Sequence, residues 1–394
     1  MIYLNLFIAH CFCLCFFIIN YPLPFSGVSM SYSPIGISKW DLDTPALLVD
    51  LDTMENNIRL MADRCKSNGL EWRPHSKGHK TPAIAHKQLQ AGALGITCAK
   101  LGEAEIMAAS GIRDILVANQ VVGQQKVARL AHLQRQAKVM VAVDDPFHIQ
   151  SLSDAAQKAN TTIPILVEVN IGMDRCGVQP GKPALDLAQQ ADAAPGVIFA
   201  GIMGYEGHAM ALPDPEKEKA CRKAIAHLAD TRALIEREGL KVDIVSAGGT
   251  GTLAYTPDLS GTTEIQAGGG IFMDTYYTND LNVKDLSQAL TILTTILSHR
   301  APHRAVADAG RKTTSSQFSM PEAKDRAGIT VAGLSAEHAL LNLDNPSPAI
   351  KVGDKLELIS GYSDMTVFLH DRIYGIRNDH VEAVWDILGR DKKQ

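Results

Sequence analysis

The sequence has no Cys-x-x-Cys pair and no Cys/His spacing of the kind that holds zinc. Its seven cysteines form no disulfide framework. Cys11, Cys13 and Cys15 crowd the start, and Cys65, Cys98, Cys176 and Cys221 are scattered. A reduced, cytoplasmic setting is therefore the expectation. A basic stripe and an acidic tail are also missing. The net charge of −5 is spread along the chain, which argues against nucleic acid and against a disordered partner segment. There is no internal repeat and no low-complexity linker. No Gly-x-Gly-x-x-Gly follows the first strand, which counts against a doubly wound dinucleotide-binding sheet. What is there is 394 residues, 46% hydrophobic and 21% charged, an ordinary globular composition with room for two cored domains.

Residues 1–29 stand apart. MIYLNLFIAHCFCLCFFIIN is apolar for about the length of a membrane span. It lacks a Lys or Arg before the apolar run and a clear Ala-x-Ala cleavage site, and Met30 immediately precedes a polar start. The segment reads as a mis-assigned start or a leader, with a signal peptide or N-terminal anchor as the forms a leader would take. Nothing downstream depends on it.

From Asp50 onward helix and strand patterns alternate. LDTMENNIRLMADRCKSNG reads as a helix with Asp52 as cap and Glu55 three residues on, Met54, Ile58, Met61 and Cys65 on one face, and Gly69 at the end. Eight short apolar runs follow: LEWRPHS, GITCA, DILVAN, VMVAV, PILVEVN, VIFAGIMGY, VDIVSA and TEIQA. Helical stretches such as GEAEIMAAS, ALDLAQQADAA and EKEKACRKAIAHLADTRALIEREG lie between them. Eight strands with long crossovers predict a closed (β/α)8 barrel over residues 30–280. After about Asp280 the helix-like DLSQALTILTTILSHRA gives way to RAVADAG, ITVAGLS, KLELIS, TVFLHD, RIYGIR and VEAVWDI, separated by Gly, Pro, Asn and Asp. That texture predicts an antiparallel β domain over 281–394.

Chemistry gathers at the strand ends. In EWRPHSKGHK, a period of two puts Arg73, His75 and Lys77 on one face, which in a barrel is the interior. Three cations make poor core packing, whereas a partly desolvated lysine among other positive groups suits imine formation. The plainer alternative is an exposed basic loop. The last two strands end in SAGGTGT and QAGGG. Loops there commonly bind phosphate in such barrels, because glycine lets backbone N–H groups approach phosphate oxygens. Gly248, Gly249, Gly251, Gly268 and Gly269 supply the backbone, and Thr250 and Thr252 add hydroxyls. A lysine at one side of the mouth and a phosphate site at the other is what pyridoxal 5′-phosphate (PLP) requires. Arg175 and Tyr205 end further strands, and Glu206 and His208 follow Tyr205. His208 is the general-base candidate by residue type, against the plainer reading of a structural loop histidine. Asn119 and Gln120 are expected as polar lining.

DLDTPALLVDLDTMENNI, RPHSKGHKTP, LGEAEIMAASGI, GYEGH, SAGGTGT, EIQAGG with FMD, and SAEH together resemble the D-threonine aldolase/D-serine dehydratase-like PLP enzymes. These are fold-type III relatives of alanine racemase, and the resemblance runs from about Trp40 to Arg390. It implies that Lys77 is the Schiff-base lysine, with Gly248 to Thr252, Gly268 and Gly269 holding the phosphate. Arg175 and Tyr205, with His75, would line the cofactor, and His208 would work near the substrate β-hydroxyl. It also implies a homodimer whose C-terminal β domain completes the partner's site. Many such proteins carry a His-x-Asp or His-x-Cys metal pair in that domain. Here the segment is GYSDMTVFLHD, with Tyr362 in the histidine position, so Asp364 alone is left to hold a divalent ion (Mg, Mn or Zn).

Three reactions start from a carbanion at Cα. Racemisation needs a proton donor and acceptor on opposite faces, and the alanine racemase tyrosine motif is not found. β-Elimination expels hydroxide, which a metal would assist. Retro-aldol cleavage needs only a base at the β-hydroxyl. The weakened metal site favours a lyase that cleaves D-threonine or 3-hydroxyaspartate to glycine and an aldehyde or oxo acid. A D-serine or 3-hydroxyaspartate dehydratase is the alternative. A racemase, a non-catalytic PLP-binding protein and an unrelated sugar-phosphate barrel are further ones.

Overall fold

A computed structural model of the chain describes residues 33–394 apart from 259–260 and 345–349. The expected leader, residues 1–29, lies outside the described residues. Among the described residues no helix is long and apolar enough to cross a membrane, and Cys65, Cys98, Cys176 and Cys221 are free thiols.

The chain opens with β1 (Ala46–Asp50) and α1 (Leu51–Ser67), then runs β2 (Glu71–Trp72), α2 (Pro82–Gln90), β3 (Ile96–Cys98), α3 (Leu101–Ala109), β4 (Asp114–Gln120), α4 (Gln124–Leu133), β5 (Lys138–Val143), α5 (Pro146–Ala159), β6 (Ile163–Glu168), α6 (Lys182–Ala193), β7 (Val197–Met203), α7 (Asp214–Arg237), β8 (Ile244–Ala247) and β9 (Glu264–Ile265). All eight apolar runs form strands. β2 to β9 make one parallel sheet in the order β2-β9-β8-β7-β6-β5-β4-β3. The two ends of that order meet where His75 bridges Thr97 and the Thr97 N–H donates to the Pro74 carbonyl, which closes the barrel.

The strands read as continuous apolar runs because helices cover the outside while side chains fill the inside. In β5, Val139, Val141 and Val143 pack outward under the helices. The alternate Met140 and Ala142 join Leu116, Leu166 and Met203 in the barrel interior. Low in the interior sits Arg73, 1% exposed. Its Nε lies 3.0 Å from both Glu264 oxygens, and its guanidinium also pairs with Asp114. The expected inward face of the first strand is therefore correct, but Arg73 plugs the barrel floor rather than the mouth.

The remaining strands are β10 (Leu290–Ala301), β11 (Arg304–Ala307), β12 (Glu322–Ala323), β13 (Ile329–Leu334), β14 (Ala339–Leu343), β15 (Lys355–Ile359), β16 (Arg372–Arg377) and β17 (His380–Asp386). With β1 they form a second sheet, whose main path is β13-β14-β11-β10-β1-β16-β17, with β15 on β10 and β12 on β15.

Four local expectations are corrected. The stretch expected as a helix after Asp280 is β10: Thr291, Ile292, Thr294, Thr295 and Ile296 are β-branched, stiff at χ1 and suited to a pleated sheet. The second sheet is not wholly antiparallel, since β1, from the N-terminal part of the chain, pairs parallel with β16 and antiparallel with β10. TVFLHD is not a strand. It curls into 3-10 turns at Ser363–Met365 and Val367–Leu369, because Thr366 Oγ1 donates to the Tyr362 carbonyl and the Ser363 N–H turns inward to Asp274. Finally, α1 is capped by Asp50, whose Oδ1 accepts from Thr53 N at 2.8 Å, and Asp52 pairs with Arg377 instead.

Candidate active site

A cavity of about 270 Å³ opens at the C-terminal ends of the barrel strands. Lys77, His75, Arg175, Tyr205, Gly248, Gly249, Thr250, Gly268, Gly269 and Asp364 all line it, as do Asn119 and Gln120. Roomier clefts, about 450 and 530 Å³, exist elsewhere, but Lys77 lines neither.

Lys77 sits on a 3-10 turn, Ser76–Gly78, directly after the first barrel strand. His75 caps that turn, its Nδ1 accepting from Lys77 N at 3.3 Å. Burial first, and then the positive charges of Lys77 and Lys80, push His75 well below the usual histidine range. The ring is therefore neutral at physiological pH. On the far side of the turn Lys80 pairs with the buried Glu103, whose other oxygen accepts from Ala99 N at 2.9 Å. The turn is thus pinned on both sides, while the Lys77 side chain stays 42% exposed to the cavity.

The two glycine loops line the same cavity. Gly249 and Gly268 are required by close approach: a Cβ on Gly249 would come within 2.8 Å of the Tyr205 ring, and one on Gly268 within 2.2 Å of the His75 carbonyl. Gly270 N donates to Thr250 Oγ1 at 3.0 Å, which ties the two loops together. The buried Glu206 organises the first loop, accepting from Gly248 N at 3.2 Å, Thr252 Oγ1 at 2.7 Å and Thr256 Oγ1 at 2.5 Å. Thr252 is consequently a brace and Gly251 packs on Met210, so neither lines the cavity. The Arg175 guanidinium lies 5.7 Å from the Tyr205 ring centre. Burial raises the Tyr205 hydroxyl, so it stays protonated.

His208 is not brought to the cavity. The turn Gly207–Ala209 leaves it exposed, with its ring against Gly172, where a Cβ would meet it at 2.7 Å. The GYEGH segment instead contributes Tyr205 to the lining and Glu206 to the brace behind it. Residues not anticipated as lining include Glu168, Gln266 and Tyr277. Gln120 Nε2 donates to Glu168 at 2.5 Å, and burial raises the Glu168 carboxyl above its ordinary range. Inward alternation along PILVEVN is the signal that would have found Glu168.

Asp364 lines the cavity from the second-sheet side, its side chain 10% exposed and its Oδ2 3.9 Å from Lys77 Nζ. Tyr362 donates to the same oxygen at 3.3 Å. Asp274 anchors this segment by accepting from Ser363 N at 2.6 Å and Tyr277 N at 2.8 Å, and burial raises its carboxyl to about 6. Tyr362 packs among Tyr276, Tyr277 and Phe318, with ring centres 5.0–6.4 Å away. His370 is bound to the Thr313 carbonyl at 2.7 Å, and Glu337 of SAEH forms a surface ion pair with Lys312.

These residues fit PLP. One cavity holds an amine, the backbone of two tied glycine loops, a neutral imidazole and a phenol. A (β/α)8 barrel with this arrangement and a second β-sheet defines the fold-type III PLP enzymes. The chain belongs to the D-threonine aldolase/D-serine dehydratase-like family of that class. The model for the alanine racemase N-terminal domain matches residues 49–276, and that for a putative serine dehydratase domain matches residues 289–376. The chain is 38% identical to a 3-hydroxy-D-aspartate aldolase of Paracoccus denitrificans, over 95% of this chain and 99% of that one. It is 37% identical to a D-threonine aldolase of an Arthrobacter species, over 89% and 93%. Among solved structures, a D-threonine aldolase from Filomicrobium marinum superposes with a TM-score of 0.89 at 37% identity, covering 92% of this chain and all of that one.

Proposed function

We propose that the protein is a PLP-dependent lyase that cleaves D-β-hydroxy amino acids, of the D-threonine or 3-hydroxyaspartate type, to glycine and an aldehyde or oxo acid. The observation that carries this reading is the cavity that Lys77 shares with the Gly248–Thr250 and Gly268–Gly269 loops, in a chain whose relatives at 37–38% identity are aldolases.

Lys77 would hold the cofactor, and the two loops, braced by Glu206, would hold its phosphate. When bound, PLP supplies an electron sink at the substrate's Cα. Tyr205 and Arg175 would border its ring, and neutral His75 would pack beside it without adding charge. Cleavage takes a proton from the β-hydroxyl as the Cα–Cβ bond breaks. Asp364, in the cavity beside Lys77, is the acceptor already in place, whereas His208 would first have to leave Gly172. The working form proposed is a cytoplasmic homodimer, which light scattering on the purified protein checks.

Dehydration is the second reading. It is favoured by the dehydratase-domain match and by 30% identity, over 68% of this chain, to a D-threo-3-hydroxyaspartate dehydratase of a Delftia species. Incubation with D-threonine, D-serine and 3-hydroxyaspartate separates the two. Glycine with acetaldehyde or glyoxylate is expected, and an oxo acid with ammonia but no glycine would overturn the aldolase reading.

A further inference from the structure

We infer that this active site works without a bound divalent cation, the Tyr362 hydroxyl standing beside Asp364 where a second metal ligand would have to be. The inference rests on the aldolase reading and concerns how that site handles Asp364.

Asp364 is the only carboxylate of the second-sheet segment that faces Lys77, and each of its surroundings disfavours a cation. Lys77 Nζ already stands 3.9 Å from Asp364 Oδ2. Tyr362 donates to Oδ2 at 3.3 Å, and a phenol that keeps its proton is a hydrogen-bond donor here rather than a ligand. Asp364 Oδ1 is buried without a hydrogen-bond partner, yet no room is left beside it on the Lys77 turn, because a Cβ on Gly78 would lie 2.7 Å away.

The nearest further ligands are already committed. Asp274 accepts from two backbone N–H groups, and His370 is held by the Thr313 carbonyl. Among the described residues no group of three or more His, Cys, Asp or Glu side chains could hold a metal ion. Zinc takes three or four protein ligands, and magnesium-like ions take six oxygens, one or two of them carboxylates and the rest mostly water. Asp364 gives a zinc site one ligand, and with a phenol at Oδ2 and the Gly78 backbone against Oδ1 it gives a hydrated ion no open oxygen. Asp364 is met instead by the phenol, and the ring of Tyr362 is fixed by Phe318, Tyr276 and Tyr277. Tyr362 is thus a positioning residue for Asp364.

The test uses purified holoenzyme. Elemental analysis should find far less than one divalent metal per chain, calorimetric titration with MnCl2 or ZnCl2 should show no stoichiometric binding, and EDTA should leave glycine production unchanged. About one tightly held metal per chain, with activity lost to EDTA and restored by MnCl2, would overturn the inference. Tyr362→Phe keeps the ring and removes the hydroxyl. It should lower kcat about tenfold or more, the effect of one lost charge-assisted hydrogen bond, with KM and melting temperature nearly unchanged. An unchanged kcat would show that the hydroxyl does not position Asp364. The metal measurements do not depend on which substrate is cleaved, so failure of the aldolase reading would appear separately, as an absence of glycine from every substrate.

Discussion

The two ends of the barrel treat charge in opposite ways. At the floor, Arg73 is buried and fully engaged, with Glu264 and Asp114 satisfying its guanidinium. At the mouth, Lys77 remains 42% exposed at 3.9 Å from Asp364, and an oxygen of that carboxylate has no hydrogen-bond partner. Both lie on the inward face of one short segment, four residues apart. A buried charge with every partner in place holds a fold together. A charge left incompletely paired in a concave site is held ready for something the chain itself does not supply.

The comparison predicts opposite phenotypes. Lys77→Ala should reduce lyase activity by more than about a thousandfold and abolish the cofactor's visible absorbance, with little change in melting temperature. Arg73→Met should instead destabilise the fold by about 3–5 kcal/mol in urea titration, because Glu264 and Asp114 lose their counter-charge. Whatever folds should retain its KM. If Arg73→Met spared stability but destroyed turnover, the division between floor and mouth would be wrong.

Glu206→Gln tests the brace behind the mouth. Losing a charged acceptor for Gly248 N and Thr252 should weaken cofactor affinity of the apoenzyme by about 10–100-fold, read by absorbance titration, with a smaller effect on stability.

The pH dependence of stability sharpens the comparison further. Burial pushes His79 down to about 3, and burial with neighbouring cations pushes His75 well below its ordinary value. The unfolded chain protonates both below about pH 6.5 and the folded chain does not, so their contribution is full above that pH and is lost on acidification. Asp274, raised to about 6, has the opposite sign: its contribution is full below about pH 4 and is lost as pH rises through 6. Glu168, also raised by burial, acts as Asp274 does, and His370, lowered by burial, acts with the other two histidines. Three groups outweigh two, so the melting temperature should fall between pH 7 and pH 5. The slope for each fully engaged group approaches 1.4 kcal/mol per pH unit. A melting temperature that rises over that interval would contradict the assignment of neutral histidines behind Lys77. The smallest effect is expected for His208→Gln, less than about threefold in kcat, since its ring packs on Gly172 outside the cavity.

Much of this architecture was legible in the sequence because it is carried by local periodicity. The eight apolar runs, the face of α1 and the inward alternation of Arg73, His75 and Lys77 are properties of a few consecutive residues. The glycine loops were legible because close backbone approach leaves few residue choices. What could not be read depends on distant partners. β10 has an apolar pattern that fits helix or strand, and only pairing with β1, β11 and β15 makes it a strand. β1 lies in sequence beside the barrel but hydrogen-bonds across nearly the whole chain to β16. His208 is a base by residue type, but the turn Gly207–Ala209 leaves it exposed with its ring against Gly172 and outside the cavity lining. Glu206 was visible in GYEGH, but its work on Gly248, Thr252 and Thr256 appears only once β7 and β8 are adjacent.

The most direct measurement is borohydride reduction of the purified holoenzyme followed by peptide mass spectrometry. The pyridoxyl adduct should fall on the peptide containing Lys77 and be absent from Lys77→Ala. An adduct on another lysine such as Lys80 or Lys217, or none at all in active protein, would contradict the account.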